Sequence, residues 1–160
     1  MKVEQRLEEL GVQLPQSTVP VANYVTTVQV GNLIFVSGHG PVTDTGKIHK
    51  SQLGTDATIE GGYGSACQVA ICLLSTLKHA LGDLDRIKRI VKVVGFVNSA
   101  SHFTDQSAVV NGASDFFVAV FGDKGRHARS SIGAAQLPLG VPVIIEMIVE
   151  IEDKSAKKNR

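Results

Sequence analysis

His39, His49, His79, His102 and His127 are the side chains that would bind zinc or move protons near neutral pH, and they are scattered without HxH or HExxH spacing. No metal site is expected. Cys67 and Cys72 lie five apart in a helix-like stretch, on different azimuths, which fits neither a zinc pair nor a redox CxxC; they are read as buried free thiols. Gly61, Gly62 and Gly64 open a helix without the GxGxxG order or a preceding parallel strand, so they are read as a local turn, not as a dinucleotide cradle. No cofactor is expected. A different pattern stands near the C-terminus, where Arg129 and Ser131 are two apart in a β-like run and therefore share a strand face, and where His127 has Arg129's parity and lines the same groove.

The elements that position these groups belong to one domain. The chain has 160 residues, 43% apolar and 19% charged, with a formal net charge of +1. At this size a chain buries roughly two-thirds of its unfolded surface and needs no disulfide or metal staple. Four basic residues and one acid fall in Asp153–Arg160, leaving 12 of 16 basic and 14 of 15 acidic residues in Met1–Glu152. A slightly acidic body with 5% aromatics and no Trp lacks the charge and stacking surfaces of a nucleic-acid binder. The longest apolar stretch, Val69–Leu77, is interrupted by Ser75 and bounded by Gln68, Lys78 and His79, too short for a membrane span. The N-terminus alternates charged and apolar residues, unlike a secretory signal, so a cytoplasmic protein is expected.

The pattern divides the chain into an N-terminal helix and connector (residues 1–20), a domain (21–152) and a basic tail (153–160). Leu7 and Leu10 precede a helix stop at Gly11; the helix is read as an accessory. Tyr24–Val30, the turn Gly31-Asn32 and Leu33–Val36 read as a hairpin, and a short strand is possible near Lys47–His49, after a polar stretch at Thr43–Gly46. Ala66, Val69, Ala70, Leu73, Leu74, Leu77 and Leu81 recur at helical spacing over Thr58–Leu81, and Gly82 closes that helix. Ile87–Asn98 reads as a strand, Thr104–Phe121 as a second helix, and Ala128–Gln136 and Val141–Glu152 as strands joined at Leu137-Pro138-Leu139-Gly140. The fold class is therefore α+β, a two-layer sandwich with a mostly antiparallel sheet and two helices on one face. On the last strand Val143, Ile145, Met147, Val149 and Ile151 take one face, yet Ile144 and Ile148 join Glu146, Glu150 and Glu152 on the other. A half-apolar face that its own helices leave bare implies a homo-oligomer.

The run from Ala128-Arg129-Ser130-Ser131 to Leu137-Pro138, followed by Ile145-Glu146-Met147, closely resembles the signature of the Rid/YjgF family, also called L-PSP. Tyr24, Gly31–Gly38, Val91–Val97 and Val110-Asn111 reinforce it in order and spacing, and the resemblance covers Ala22–Ile151. Residues 1–20 and Gly95–Asp105 look like a branch other than the best-studied deaminases. The resemblance implies a chorismate-mutase-like homotrimer with a ligand cleft at each subunit interface. It also implies hydrolysis of reactive 2-imino acids, tautomers of enamines, to 2-keto acids and ammonia, with no metal or cofactor.

Within that resemblance Arg129 matches the arginine that holds the substrate carboxylate, a role suited to a planar fork donating two parallel hydrogen bonds. The alternative is a structural ion pair with Glu146 or Glu150. Ser131 stands where many relatives have cysteine, and either bonds ligand or packs the sheet. Tyr24 matches a tyrosine at the cleft rim, against a core or interface role; Asn111 matches an asparagine near the cleft, against a helix-surface role. Backbone groups near Ser37 and Gly38 would orient the imine, and His39 would supply a base or a hydrogen bond. The water-positioning glutamate aligns with Ile144, two residues before Glu146. Glu146 shares that face about 6–7 Å further along, and serves catalysis only if the preceding turn shifts the register; otherwise it is structural. Two other readings stand beside deamination: a noncatalytic binder of small carboxylates, and an endoribonuclease, which the near-neutral body disfavours.

Overall fold

The structure, a computed structural model, describes residues 2–42 and 46–152. Five strands form one sheet: β1 (Thr27–Val30), β2 (Leu33–His39), β3 (Ile87–Asn98), β4 (Ala128–Ala134) and β5 (Val143–Ile151). Their spatial order is β1-β2-β5-β3-β4; β4 runs parallel to β3 and every other pairing is antiparallel. Helices α2 (Ile59–Leu81) and α3 (Gln106–Phe121) cover one face, as the two-layer α+β expectation requires. Among the described residues no helix is long and apolar enough to cross a membrane.

The long helix forms where its apolar stripe recurs. Thr58 caps it by accepting from the Gly61 amide at 3.0 Å, and Gly82 ends it in the left-handed region at φ 76°. Leu73, Leu74 and Leu77 are fully buried on its inner side, each contributing about 1.5–3 kcal/mol. The glycines expected to make a turn lie inside the first helical turns instead. Gly62 is buried there because a Cβ would sit 3.1 Å from Leu53 and Val109, so close packing and not turn geometry selects it. Gly112 on α3 does the same from the other side: its missing Cβ would overlap the Tyr63 carbonyl, so α2 and α3 meet backbone to backbone.

Several boundaries differ from the sequence reading. The first strand begins at Thr27, leaving Tyr24 half exposed before it, and β2 continues through Ser37 and Gly38 to His39. Residues 47–49 are irregular and exposed, and among the described residues no strand pairs with them; of the polar stretch Thr43–Gly46, residues 43–45 lie outside the described residues, as does the basic tail. The N-terminal helix α1 (Val3–Glu9) is tied into the body and is no mere accessory. Val3 and Leu7 are buried in the main core, the Val3 amide donates to Asp85 at 2.6 Å, Arg6 donates to the Ala119 carbonyl, and Lys78 pairs with Glu4.

Among the described residues nothing covers the sheet face away from the helices. Val28, Val30, Phe35 and Ile132 are each more than two-fifths exposed on it, beside half-buried Val94, Phe96, Ile144 and Ile148. Lys88 crosses the same face to pair with Glu150 at 2.9 Å.

Candidate anion site at the edge of the sheet

Arg129 sits on β4, an edge strand, opposite Val93 of β3 and on the side that faces the helices. Its Nη1 donates to Asn111 Oδ1 at 2.8 Å and to Ser114 Oγ at 3.0 Å, both on α3. Asn111 and Ser114 are three apart and so project from one side of the helix. Gly95 of β3 lets α3 lie this close: a Cβ there would come within 2.5 Å of Val110.

The neighbours of Arg129 are neutral. Glu150 is engaged by Lys88 and Asn32, and among the described residues no carboxylate pairs with Arg129. Nη1 uses both its hydrogens on α3, so among the described residues Nε and Nη2 of this half-buried side chain keep three donors unengaged. Two residues on, Ser131 Oγ is enclosed and lacks a hydrogen-bond partner. The guanidinium is thus held by neutral groups, with one edge unengaged among the described residues.

His127 extends this group. Its Nδ1 lies 2.6 Å from the Gly125 carbonyl and its Nε2 3.0 Å from Ser114 Oγ, with the ring edge-on to Phe117. A carbonyl only accepts, so Nδ1 carries a proton, and in the neutral ring Nε2 accepts from Ser114. Burial, more than the nearby Arg129 charge, holds this imidazole below its usual pKa, against the opposing pull of the Gly125 carbonyl.

The remaining candidates gather elsewhere. The Ser37 hydroxyl donates to the Val25 carbonyl at 2.7 Å, which ties β2 to the segment carrying Tyr24. Gly38 abuts Ile144, whose methyl would lie 2.9 Å from any Cβ there. Glu146 projects from the bare sheet face into a hollow of about 340 Å³ shared with Ser37, Phe35, Lys92 and Val94. His39 turns the other way, into the core: Nδ1 meets the Ser37 carbonyl at 2.6 Å and Nε2 meets Thr76 Oγ1 at 2.8 Å. Arg129, Asn111 and Ser131 thus form one group on the helical side of β4, while Ser37, Gly38 and Glu146 form another on β2 and β5. Two strands separate β4 from β2, about 14 Å at the usual spacing, and Arg129 and Glu146 face opposite sides of the sheet.

Ser114 was not singled out from the sequence, although its place three residues after Asn111 was a usable signal. Both cysteines are free, Cys72 buried and Cys67 half buried, and burial raises both thiols. Among the described residues no three His, Cys, Asp or Glu side chains come together as a metal site would require.

Residues 4–151 match the family model described as "YjgF/chorismate mutase-like, putative endoribonuclease". Protein TCP17 of Trypanosoma cruzi is 44% identical over 153 residues, 95% of this chain and 96% of that protein. A 2-iminobutanoate/2-iminopropanoate deaminase of Dermatophagoides farinae is 29% identical over 145 residues, 88% of this chain and 95% of that protein. The crystal structure of Atu1372 from Agrobacterium tumefaciens, described as of unknown function, superposes with a TM-score of 0.86 at 41% identity over 94% of both chains. Matched by the family model along nearly its whole length, with the same α+β fold, the chain belongs to the YjgF/chorismate mutase-like family.

Proposed function

We propose that the protein hydrolyses reactive 2-imino acids in the cytoplasm, at a cleft between subunits of a homotrimer, with Arg129 holding the substrate carboxylate. The observation that carries this reading is the guanidinium fixed by Asn111 and Ser114 with Nε and Nη2 unengaged and no carboxylate partner among the described residues. The substrate class follows the name of the mite relative. The bare sheet face supports assembly, and the separation of Arg129 from Tyr24, Ser37, Gly38 and Glu146 supports a cleft that needs two copies.

The chemistry asks little of the protein. With the carboxylate on Nε and Nη2, the protonated imine carbon is placed for attack, and backbone groups near Ser37 and Gly38 of a second copy orient the nitrogen. Water adds to the carbon, the C=N π electrons move to nitrogen, and a base takes the proton that the water releases. The base returns that proton to the nitrogen and takes the hydroxyl proton as the tetrahedral adduct re-forms C=O, breaks C–N and expels ammonia, leaving the 2-keto acid. Glu146 is the carboxylate available to position water, from a copy other than the one whose Arg129 holds the substrate.

A second reading is favoured by one observation. The position that the resemblance gives to the water-positioning glutamate carries Ile144, packed on Gly38, which suits a carboxylate binder without turnover. The endoribonuclease reading has weaker support, from the family description alone.

Decay of freshly generated 2-iminobutanoate and 2-iminopropanoate, followed with wild type and Arg129→Ala, separates the first two. Wild type should accelerate decay and Arg129→Ala should lose at least about 100-fold in kcat/KM, the expected loss of a bidentate charge-assisted contact. No acceleration over buffer overturns deamination of these substrates; retained binding of 2-oxobutanoate would then identify a binder.

A further inference from the structure

We propose that Ser114 and His127 are a positioning pair that aims the Arg129 guanidinium. This inference rests on the reading of Arg129 as a carboxylate receptor. Four groups form one directed chain: the Gly125 carbonyl accepts from His127 Nδ1, His127 Nε2 accepts from the Ser114 hydroxyl, and the Ser114 oxygen accepts from Arg129 Nη1. In the neutral ring every direction follows from the first, because a carbonyl cannot donate and the one ring proton is therefore on Nδ1. The neutral ring uses up the Ser114 hydrogen, so the lone pairs of the hydroxyl are what Arg129 meets. Asn111 takes the second Nη1 hydrogen, and the guanidinium plane is set by two points on one helix.

The support reaches into the core. Gly125 is buried, and a Cβ on it would overlap the backbone of Phe117 and Val118; only glycine lets this turn lie on α3 and bring its carbonyl to the ring. Phe117, fully buried, braces the imidazole edge-on. Of the other groups around the ring, Ser114 and Phe117 come from α3, the Gly125 carbonyl from the preceding turn and Arg129 from β4. Arg126, on the ring's own segment, is turned to Asp123. Arg129 is the charged group acting on it.

Protonation of His127 reverses the chain. Nε2 then donates, the Ser114 oxygen is shared between two cations, and its hydrogen must turn away. The aim of Arg129 is therefore complete when the ring is neutral and is loosened as the ring gains a proton. The depressed pKa of His127 keeps the chain intact at neutral pH.

Calorimetric titration of 2-oxobutanoate from about pH 5 to about pH 8, the range in which histidine titrates, reads the pair out. Wild type should bind more weakly as His127 protonates. Ser114→Ala and His127→Phe should each weaken binding about tenfold at the upper end, where a lost charge-assisted hydrogen bond is felt, and should flatten the pH profile. His127→Gln, whose carbonyl can accept from Ser114 but cannot titrate, should restore affinity and stay flat. Binding lost in Arg129→Ala but unchanged in Ser114→Ala and His127→Phe overturns the positioning pair and leaves the receptor reading intact. Equal binding by wild type and Arg129→Ala, or none by either, overturns both. Imidazole ¹⁵N shifts of the wild type give a check that needs no variant to fold: an Nε2-protonated neutral tautomer at His127 refutes the directed chain.

Discussion

Two histidines in this molecule make nearly the same contacts and serve different ends. His39 and His127 each place Nδ1 2.6 Å from the carbonyl two residues earlier, and each places Nε2 against a hydroxyl on a covering helix, Thr76 or Ser114. Burial is the leading cause that lowers both pKa values. Around His39 the chain of bonds ends in the core, at a threonine only 1% exposed, and all it achieves is to fasten β2 to α2. Around His127 the hydroxyl lies at the sheet edge and passes its oxygen to a cation. A buried imidazole is thus not a functional sign by itself; what the next atom in the chain touches decides.

The contrast can be broken most forcibly through Gly112. Gly112→Ala would push α3 off α2 where they touch at Tyr63, and should destabilise the fold by about 3 kcal/mol. Because Asn111 and Ser114 flank it, affinity for 2-oxobutanoate should fall as well. Denaturant midpoint and titration on the same preparation check both, and an unchanged affinity would show that α3 does not aim Arg129. A sharper cut is Thr76→Val, which leaves His39 Nε2 without a donor and should cost about 1–3 kcal/mol of stability with no change in carboxylate affinity. Ser114→Ala should do the reverse. Equal effects of the two variants on both readouts would erase the distinction between the histidines.

The smallest effect is in the pH dependence of stability. With its folded pKa below the ordinary value of 6.5, His39 binds a proton more readily in the unfolded chain. Stability is then complete above about pH 6.5 and is lost as pH falls from there through the folded pKa. Substituting His39→Gln should flatten this slope in unfolding curves, whereas a slope unaltered by the change would assign the loss to other groups.

The helices were legible because three- and four-residue spacings repeat over many turns, and their stops fell at Gly82 and Gly122 as the residues imply. Shorter signals failed where partners decide. Lys47–His49 has strand-like residues but forms no strand, and Tyr24 has β propensity but precedes the first paired residue. Arg129 and Asn111 could be named but not joined, since 18 residues and a turn separate them. The opposed faces of Arg129 and Glu146 could not be foreseen: parity along one strand is local, while the relation between two strands depends on register with a third. Ser114 carried one signal, its place three residues after Asn111; otherwise a lone serine on an amphipathic helix looks like any solvated position until a strand edge is laid against it.

The place of β5 between β2 and β3 bears on how the protein is made. Of the five described strands the last to be synthesised is the central one, so β1 and β2 emerge early and, among them, hold no sheet partner beyond each other until residues 143–151 are free to insert. A lone hairpin is marginal in water, and a β3-α3-β4 unit without β5 lacks half its pairing. A chain stopped before Val143 therefore cannot keep a reduced sheet; it exposes two unjoined halves, each with an open edge, to the degradation and aggregation that await incomplete products.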